Sequence, residues 1–385
     1  MFFMNEKFKG AFGIERETLR VDSRGRLAQT PHPFGDSENI TRDFCENQIE
    51  LITPVCNTIE DAVSELAKLD KTAREKIAEN GEQIWLYSNP PHYETEADIP
   101  IADFTGMHSG KRLYREQLER RYGKRLMLFS GIHFNFSFSQ QLLEKLSGGK
   151  VTDEFRNALY LRLYKQLSLH SWLILLLTAA SPVYDKSLFA DGAQGSELGK
   201  YSSVRSGEKG YWNEFVPTLD PSSLDNFVNS IQYYVDKGLL FSASEVYLPV
   251  RLKPFGENNL ENLRKGISHI ELRMFDLNPL EDVGINADDL HFAYLLAVYL
   301  AQKGDADYSA QAQQQAVANH KNAALYDLSG VTIDGVNIIE KAAQIIDNMT
   351  SFFDDCEQAR QVLSYERSKL TDRLCESVAK QKIYN

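Results

Sequence analysis

Four short runs of the chain carry residues whose types and spacing could do chemistry. The first, Phe12 to Val21, reads FGIERETLRV. In a strand, residues two apart share a face, so Glu15 and Glu17 point the same way, about 7 Å apart. Adjacent carboxylates repel each other unless a cation sits between them. Leu19 and Val21 continue that face, so it is not simply the wet side of an amphipathic strand. The plainer alternative is a surface strand whose glutamates pair with arginines of a neighbour. The second run, TRDFCENQIELITP, spans Thr41 to Pro54. Read as one strand, it puts Glu46, Gln48 and Glu50 on one face. Asp43 falls on the other phase unless a bulge re-aims it. The run then turns apolar at Leu51-Ile52, and carboxylates leading into a core strand are costly unless paired or metal-bound.

The third run, GIHFNFSFS, sets Ile132, Phe134, Phe136 and Phe138 against His133, Asn135, Ser137 and Ser139. One face is core and the other is polar without charge. The fourth, GISHIELRMFDLNP, sets Ile270, Leu272 and Met274 against His269, Glu271 and Arg273. Glu271 flanked by His and Arg suits a cross-strand ion-pair ladder. It suits equally a metal ligand beside an arginine whose fork matches phosphate oxygens. Four strands with apolar backs and polar fronts suggest one sheet curved around a polar cavity. Its front collects Glu15, Glu17, Asp43, Glu46, Glu50, His133 and Glu271, with Arg251 and Arg273 nearby. So many hard oxygen ligands suit Mg²⁺ or Mn²⁺ better than zinc, and several ions holding a polyphosphate would explain why acids and arginines share a surface.

The elements that must position these residues follow from periodicity. Thr58-Ile-Glu-Asp61 opens a helix running to about Asn80. A second helix follows Lys111, and a long one runs from about Thr152 to Ala180, closed by Ser181-Pro182. Asp185 to Gly210 is rich in Gly and Ser and reads as a mobile loop. Strands are expected near Ser244–Leu252 and Gly266–Phe275, and after Pro279 nearly everything reads as helix. The Ala/Gln-rich stretch Ser309–Ala324 reads as an exposed helix. Interspersed strands and helices favour an α+β fold with a mostly antiparallel sheet. Residues 1–385 are expected to form one large catalytic unit, with about 286–385 as a mainly helical part. Neither GxGxxG nor GxxxxGK[ST] occurs, which argues against a Rossmann or P-loop nucleotide site.

Composition narrows the partners. Lys and Arg number 42 against 54 Asp and Glu, a formal net charge of −12. That balance disfavours nucleic acid as a partner. The longest apolar run, Trp172 to Ala180, is too short for a bilayer span of about 20 residues, so no membrane partner is expected. The start, MFFMNEKFKG, lacks a signal-peptide apolar run, and Cys45, Cys56, Cys356 and Cys375 form no CxxC pair. A reducing cytoplasm is the expected location.

At GIERETLRV, TRDFCENQIELITP, LYREQLERRYG, SGIHFNFS, SGEKGYW, EVYLPVR and ISHIELRMFDLNP, the sequence resembles the bacterial glutamate–cysteine ligase family. That family is related to glutamine synthetase in its sheet and metal chemistry. The segments run in family order from about residue 13 to 285; the resemblance weakens after Asn286, and the C-terminal part looks shorter than in many members. The resemblance implies metal ligands at Glu15, Glu17, Asp43, Glu50, His133 and Glu271, for more than one Mg²⁺ or Mn²⁺. It implies cysteine contacts at Tyr114, Arg115, Leu118, Tyr211 and Tyr247. Arg205, Arg251 and Arg273 match basic positions that would meet phosphates or substrate carboxylates. Asn135 joins the substrate contacts, and Arg273, Glu15 and Glu50 are expected to act on the reaction itself. The implied substrates are L-glutamate, L-cysteine and ATP, joined through γ-glutamyl phosphate. A same-fold ligase using another amine, or a non-catalytic nucleotide- or metal-binding relative, are the alternatives. Nothing after Pro279 resembles an ATP-grasp module, so only this first ligation is expected.

Overall fold

The computed structural model of the protein describes residues 9–35, 37–104 and 110–384. In chain order the strands are β1 (Gly10–Val21), β2 (Ile40–Thr41), β3 (Gln48–Ile52), β4 (Gln83–Trp85), β5 (Ile132–Phe138), β6 (Val183–Asp185), β7 (Ser196–Leu198), β8 (Val250–Pro254), β9 (Ile267–Phe275), β10 (Thr332–Ile333) and β11 (Val336–Asn337). The helices are α1 (Ile59–Ala78), α2 (Gly110–Tyr122), α3 (Gln140–Ser147), α4 (Asp153–Thr178), α5 (Leu224–Asp236), α6 (Leu260–Lys265), α7 (Ala287–Ala301), α8 (Ala310–Ala323), α9 (Ile338–Phe352), α10 (Glu357–Ser368) and α11 (Leu374–Tyr384).

The main sheet has the order β2-β3-β1-β5-β9-β8, and β4 pairs with Leu19–Val21 of β1. All its pairings are antiparallel. This matches the expected α+β class. The alternation of β5 buries Ile132, Phe134, Phe136 and Phe138 in the larger core, where α4 and α7 pack. Thr58 caps α1 as its sequence predicts, its hydroxyl accepting from Asp61 N, and Thr152 caps α4 by accepting from Phe155 N. The back of β1 holds two fully buried arginines. Arg16 is ion-paired to Asp70 of α1, and Arg20 meets Glu82 at 2.6 Å. No helix among the described residues is long and apolar enough to cross a membrane.

Four expectations need correction. Thr41–Pro54 is not one strand. The chain turns between β2 and β3, pairing Thr41 with Glu50. The Gln48 side chain drives that turn by accepting from Phe44 N (2.6 Å) and Cys45 N (3.0 Å).

The strand expected at Ser244–Leu252 starts only at Val250. Before it, Pro249 has no N–H to give a ladder. The Asn213 side chain takes the strand partner's place, donating to Glu245 O at 2.7 Å and accepting from Tyr247 N at 2.8 Å.

In the Gly/Ser-rich stretch, Tyr201–Gly207 is buried and tied down, with Ser202 N donating to Ala324 O at 2.7 Å. Gly207 and Gly210 serve close approach: a Cβ on Gly210 would lie 1.9 Å from Arg205 O. Helix α8 is not simply exposed, since Gln313, Ala316, Val317, His320 and Ala323 form a buried stripe.

Candidate active site

The polar fronts of β1, β3, β5, β8 and β9 meet at one place because the register brings them there. Glu17 stands opposite Glu50, and Glu15 opposite His133. Asn135 stands opposite Glu271, which in turn faces Arg251. A bulge does re-aim a side chain, but at His133 and not at Asp43. Between the pairs Ile132–Phe275 and Phe134–Leu272, two residues of β9 oppose the single residue His133. Bulges of this kind recur beside active sites.

The result is a tight cluster. One donor atom each from Glu15, His133 and Glu271 lies within 4.8 Å of the others. His133 Nδ1 is 3.3 Å from Glu15 Oε2, and its Nε2 is 3.8 Å from Glu17 Oε1. Asn135 Nδ2 donates to Glu15 Oε1 at 3.1 Å. Glu271 is fully buried and ringed by cations: Lys253 Nζ at 3.0 Å, Arg273 Nη1 at 3.1 Å and Arg251 Nη1 at 3.6 Å.

Electrostatics divide the carboxylates. Burial pushes the Glu271 acid up, but Lys253, Arg273 and Arg251 together hold it well below the usual range. Burial likewise works against ionising Glu15, but the His133 hydrogen bond together with the charges of Lys253 and His133 brings it below the usual range. Glu17 is pushed up by burial, and Glu50 well up, by burial and then by the charges of Asp43, Glu15 and Glu17. At Glu50 three like charges crowd together, with only Arg115 opposing them.

Cations would relieve that crowding, and the donor set fits them. His133 Nε2 and Asn135 Oδ1 are buried with no hydrogen-bond partner. A ring nitrogen and carboxylate oxygens of this density match Mg²⁺ or Mn²⁺ coordination.

Asp43 lies on the turn before β3, its side chain about half exposed. Arg115 of α2 grips that turn through Asp43 O and lies 3.4 Å from the Asp43 carboxylate. The arginine expected at a substrate thus holds Asp43 in this structure. Glu46 does not join the cluster. Its carboxylate accepts from Asp103 N (2.6 Å) and His32 N (3.2 Å), and pairs with Arg42 at 3.0 Å. A residue in a turn, not on a strand face, has no reason to follow the strand's phase.

Beside the cluster, the Tyr211 and Tyr247 rings lie 4.4 Å apart between centroids, tilted by 37°. Tyr247 and Leu118 share a second apolar cluster, with Tyr114 and Tyr211 packed against it. Burial raises the Tyr114 hydroxyl to about 12. Arg205 donates from Nη1 to Arg273 O at 2.9 Å, and Arg251 Nη2 donates to Ser244 O and Val246 O.

Three residues of this region went unnoticed in the sequence. Lys253 is in phase with Arg251 on β8, a signal present in VRLKP. Asp276 follows β9 directly and accepts from Ala180 N, Ser181 Oγ and Ser203 Oγ, anchoring the segment that carries Arg205. His320 comes from α8, where the buried spacing of 313, 316, 317, 320 and 323 was the available signal.

Comparison with known proteins identifies the family. The glutamate–cysteine ligase family profile matches residues 4–239 and 234–323. The glutamate–cysteine ligase of Clostridium acetobutylicum is 30% identical over 82% of this chain and 77% of its own length. A glutathione biosynthesis bifunctional protein of Listeria welshimeri is 38% identical over 87% of this chain and 45% of its own. The chain spans about half the length of the bifunctional relatives it matches. Among solved structures, the Francisella tularensis glutamate–cysteine ligase in complex with AMP superposes with a TM-score of 0.84 at 25% identity, covering 95% of this chain and 83% of that one. A bifunctional glutathione synthetase of Pasteurella multocida gives 0.83 at 27% identity, covering 97% and 50%. Sequence, fold and the face that gathers Glu15, His133 and Glu271 lead to one conclusion: the chain belongs to the glutamate–cysteine ligase family.

Proposed function

We propose that this chain joins the γ-carboxyl of L-glutamate to the amine of L-cysteine at the expense of ATP, giving γ-glutamylcysteine, ADP and phosphate. The observation that carries the reading is the convergence of Glu15, His133 and Glu271 beside Arg273, Arg251 and Lys253. Acids able to bind cations and bases able to bind phosphate occupy one surface. The AMP-bound Francisella relative supports a nucleotide as co-substrate.

A carboxylate does not accept an amine at neutral pH without activation. In the first step a γ-carboxylate oxygen of glutamate bonds to the γ-phosphorus of ATP, and the bond to the ADP oxygen breaks. In the second, the free-base amine of cysteine attacks the acyl carbon, phosphate departs with the bonding electrons, and the nitrogen gives up one proton to the departing phosphate or to solvent. Arg273 would neutralise charge on the transferring phosphoryl group. Arg251 and Lys253 extend the basic strip along β8. Tyr114, Tyr211, Leu118 and Tyr247 offer an aromatic wall suited to a small polarizable thiol. Asn135 would contact substrate next to Glu15. Glu15, Glu17, Asp43, Glu50, His133 and Glu271 would hold more than one Mg²⁺ or Mn²⁺, which when bound offsets phosphate charge. The free, buried thiols of Cys45, Cys56, Cys356 and Cys375 suit a reducing compartment, so we assign the chain to the cytoplasm.

The test is glutamate-dependent ADP release across a panel of amino-acid amines. Cysteine and its close analogues should dominate. A different preferred amine would keep the ligase and replace its acceptor; no amine-dependent turnover would overturn the reading.

A further inference from the structure

Arg205, Ser206, Tyr211, Tyr247, Arg273 and His320 line a cavity next to the carboxylate cluster. His320 arrives from the helical C-terminal part, on α8, and is 1% exposed. Its Nδ1 lies 2.9 Å from Ser171 Oγ on α4. The Ser171 hydroxyl donates its hydrogen to Ser168 O at 3.0 Å. With that hydrogen used, Ser171 Oγ can only accept from His320, so Nδ1 carries the ring proton. A neutral imidazole has one N–H, which leaves Nε2 a bare acceptor. Burial, then the charges of Arg205 and Lys321, favour the neutral ring, with a pKa of about 3. Trp212 stands edge-on to the ring at 5.5 Å between centroids.

The chemistry of this cavity is specific. It offers two guanidinium groups and no carboxylate. Arg273 sits against Glu271, and Arg205 is fastened to the Arg273 carbonyl, so the two forks are held at successive points. Two fixed arginines match two carboxylates. A dicarboxylic amino acid also carries an ammonium group, which needs an acceptor that is not itself positive. His320 Nε2 meets that need.

We propose that His320 is a substrate-contacting residue whose Nε2 accepts a hydrogen bond from the α-ammonium of a dicarboxylic amino acid. The α-carboxylate would lie at Arg205 and the side-chain carboxylate at Arg273. The assignment rests on the ligase reading above and names a determinant of its acid substrate. It makes the C-terminal helical part a contributor to the site and not only a support.

The full chain with two substitutions tests it. In His320→Asn the amide nitrogen can replace Nδ1 on Ser171, but nothing replaces Nε2. In His320→Gln the amide can reach the Nε2 position. His320→Asn should raise KM for L-glutamate about 10- to 100-fold, as expected for losing a hydrogen bond to a charged group. KM for ATP and for cysteine should stay within about twofold, and His320→Gln should regain most of the loss. Binding separates the ammonium from the carboxylates. Wild type should bind L-glutamate more tightly than glutarate, which lacks the ammonium, and His320→Asn should lose that preference.

If wild type turns over glutamate and His320→Asn still prefers glutamate to glutarate as wild type does, the His320 assignment falls and the ligase reading stands. A fall in Tm shared by both variants, with kcat and every KM changed alike, would mean a structural role and also overturn it. If wild type neither binds nor turns over L-glutamate, the ligase reading fails, and this assignment with it.

Discussion

Glu15 and His133 face each other across β1 and β5, with Oε2 and Nδ1 3.3 Å apart, and a bulge puts two residues of β9 opposite His133. Glu271 thereby comes within reach of both, its Oε1 3.8 Å from the same ring nitrogen. The pairing of two strands and the slip of a third build a three-donor centre.

That centre should bind divalent cations with the fold intact. Mg²⁺ or Mn²⁺ titrated into the chelator-treated protein should raise Tm. Glu15→Gln with Glu50→Gln should abolish both this rise and turnover while leaving the circular dichroism unchanged. Full ligase activity in the double variant would remove the metal assignment.

Glu271 differs from the other acids because three cations depend on it. Glu271→Gln leaves Lys253, Arg251 and Arg273 without their shared buried partner. Removing one side of a buried ion pair typically costs about 3–5 kcal/mol. Urea denaturation should show a loss of that order, against a much smaller change for Glu17→Gln, whose carboxylate is already pushed toward neutrality by burial.

Gly131 should act as a spacer for Arg205. A Cβ there would lie 2.6–2.7 Å from the guanidinium atoms. Gly131→Ala must displace that group and break its bond to Arg273 O, so KM for the acid substrate should rise at least tenfold with Tm shifted by only a few degrees, because the clash falls on the end of one side chain and leaves the backbone in place. Gly304→Ala, which meets nothing within 4 Å, is the matched control and should change neither.

The Arg16–Asp70 pair should be the most costly contact behind the sheet to break. Asp70 also accepts from Arg74 Nε at 2.5 Å, and Asp70→Ala leaves the fully buried Arg16 guanidinium with its bond to Val283 O but no counter-ion. A destabilisation of about 3–5 kcal/mol is expected by chemical denaturation, with kcat per folded molecule unaffected.

Acid should destabilise the protein partly through His320. Its folded pKa of about 3 lies below the ordinary 6.5, so between those values the unfolded chain holds a proton that the folded one lacks. Stability from this group is therefore intact above pH 6.5 and falls as pH drops toward 3. From pH 7 to 5 the loss should be about 2 kcal/mol. The urea midpoint of His320→Asn should fall less over that interval than that of wild type, by about this amount once scaled by the m-value.

The sequence by itself determined which residues share a face. Strand phase placed Glu15 with Glu17, His133 with Asn135 and Glu271 with Arg273, because side chains alternate with a period of two whatever the strand pairs with. The capping threonine Thr58 likewise announced α1, since a cap is satisfied within three residues. What strand phase could not carry is the register between strands, set by packing and backbone pairing far apart in the chain. Only the tertiary structure decided that Glu17 meets Glu50, that the bulge falls at His133, and that Glu46 turns away to Asp103 N and Arg42. The same holds for Lys253 beside Glu271 and for His320 beside Arg205, 115 residues earlier. Each of these contacts depends on where a buried face finds its partner, which is a property of the packed molecule and not of any one segment.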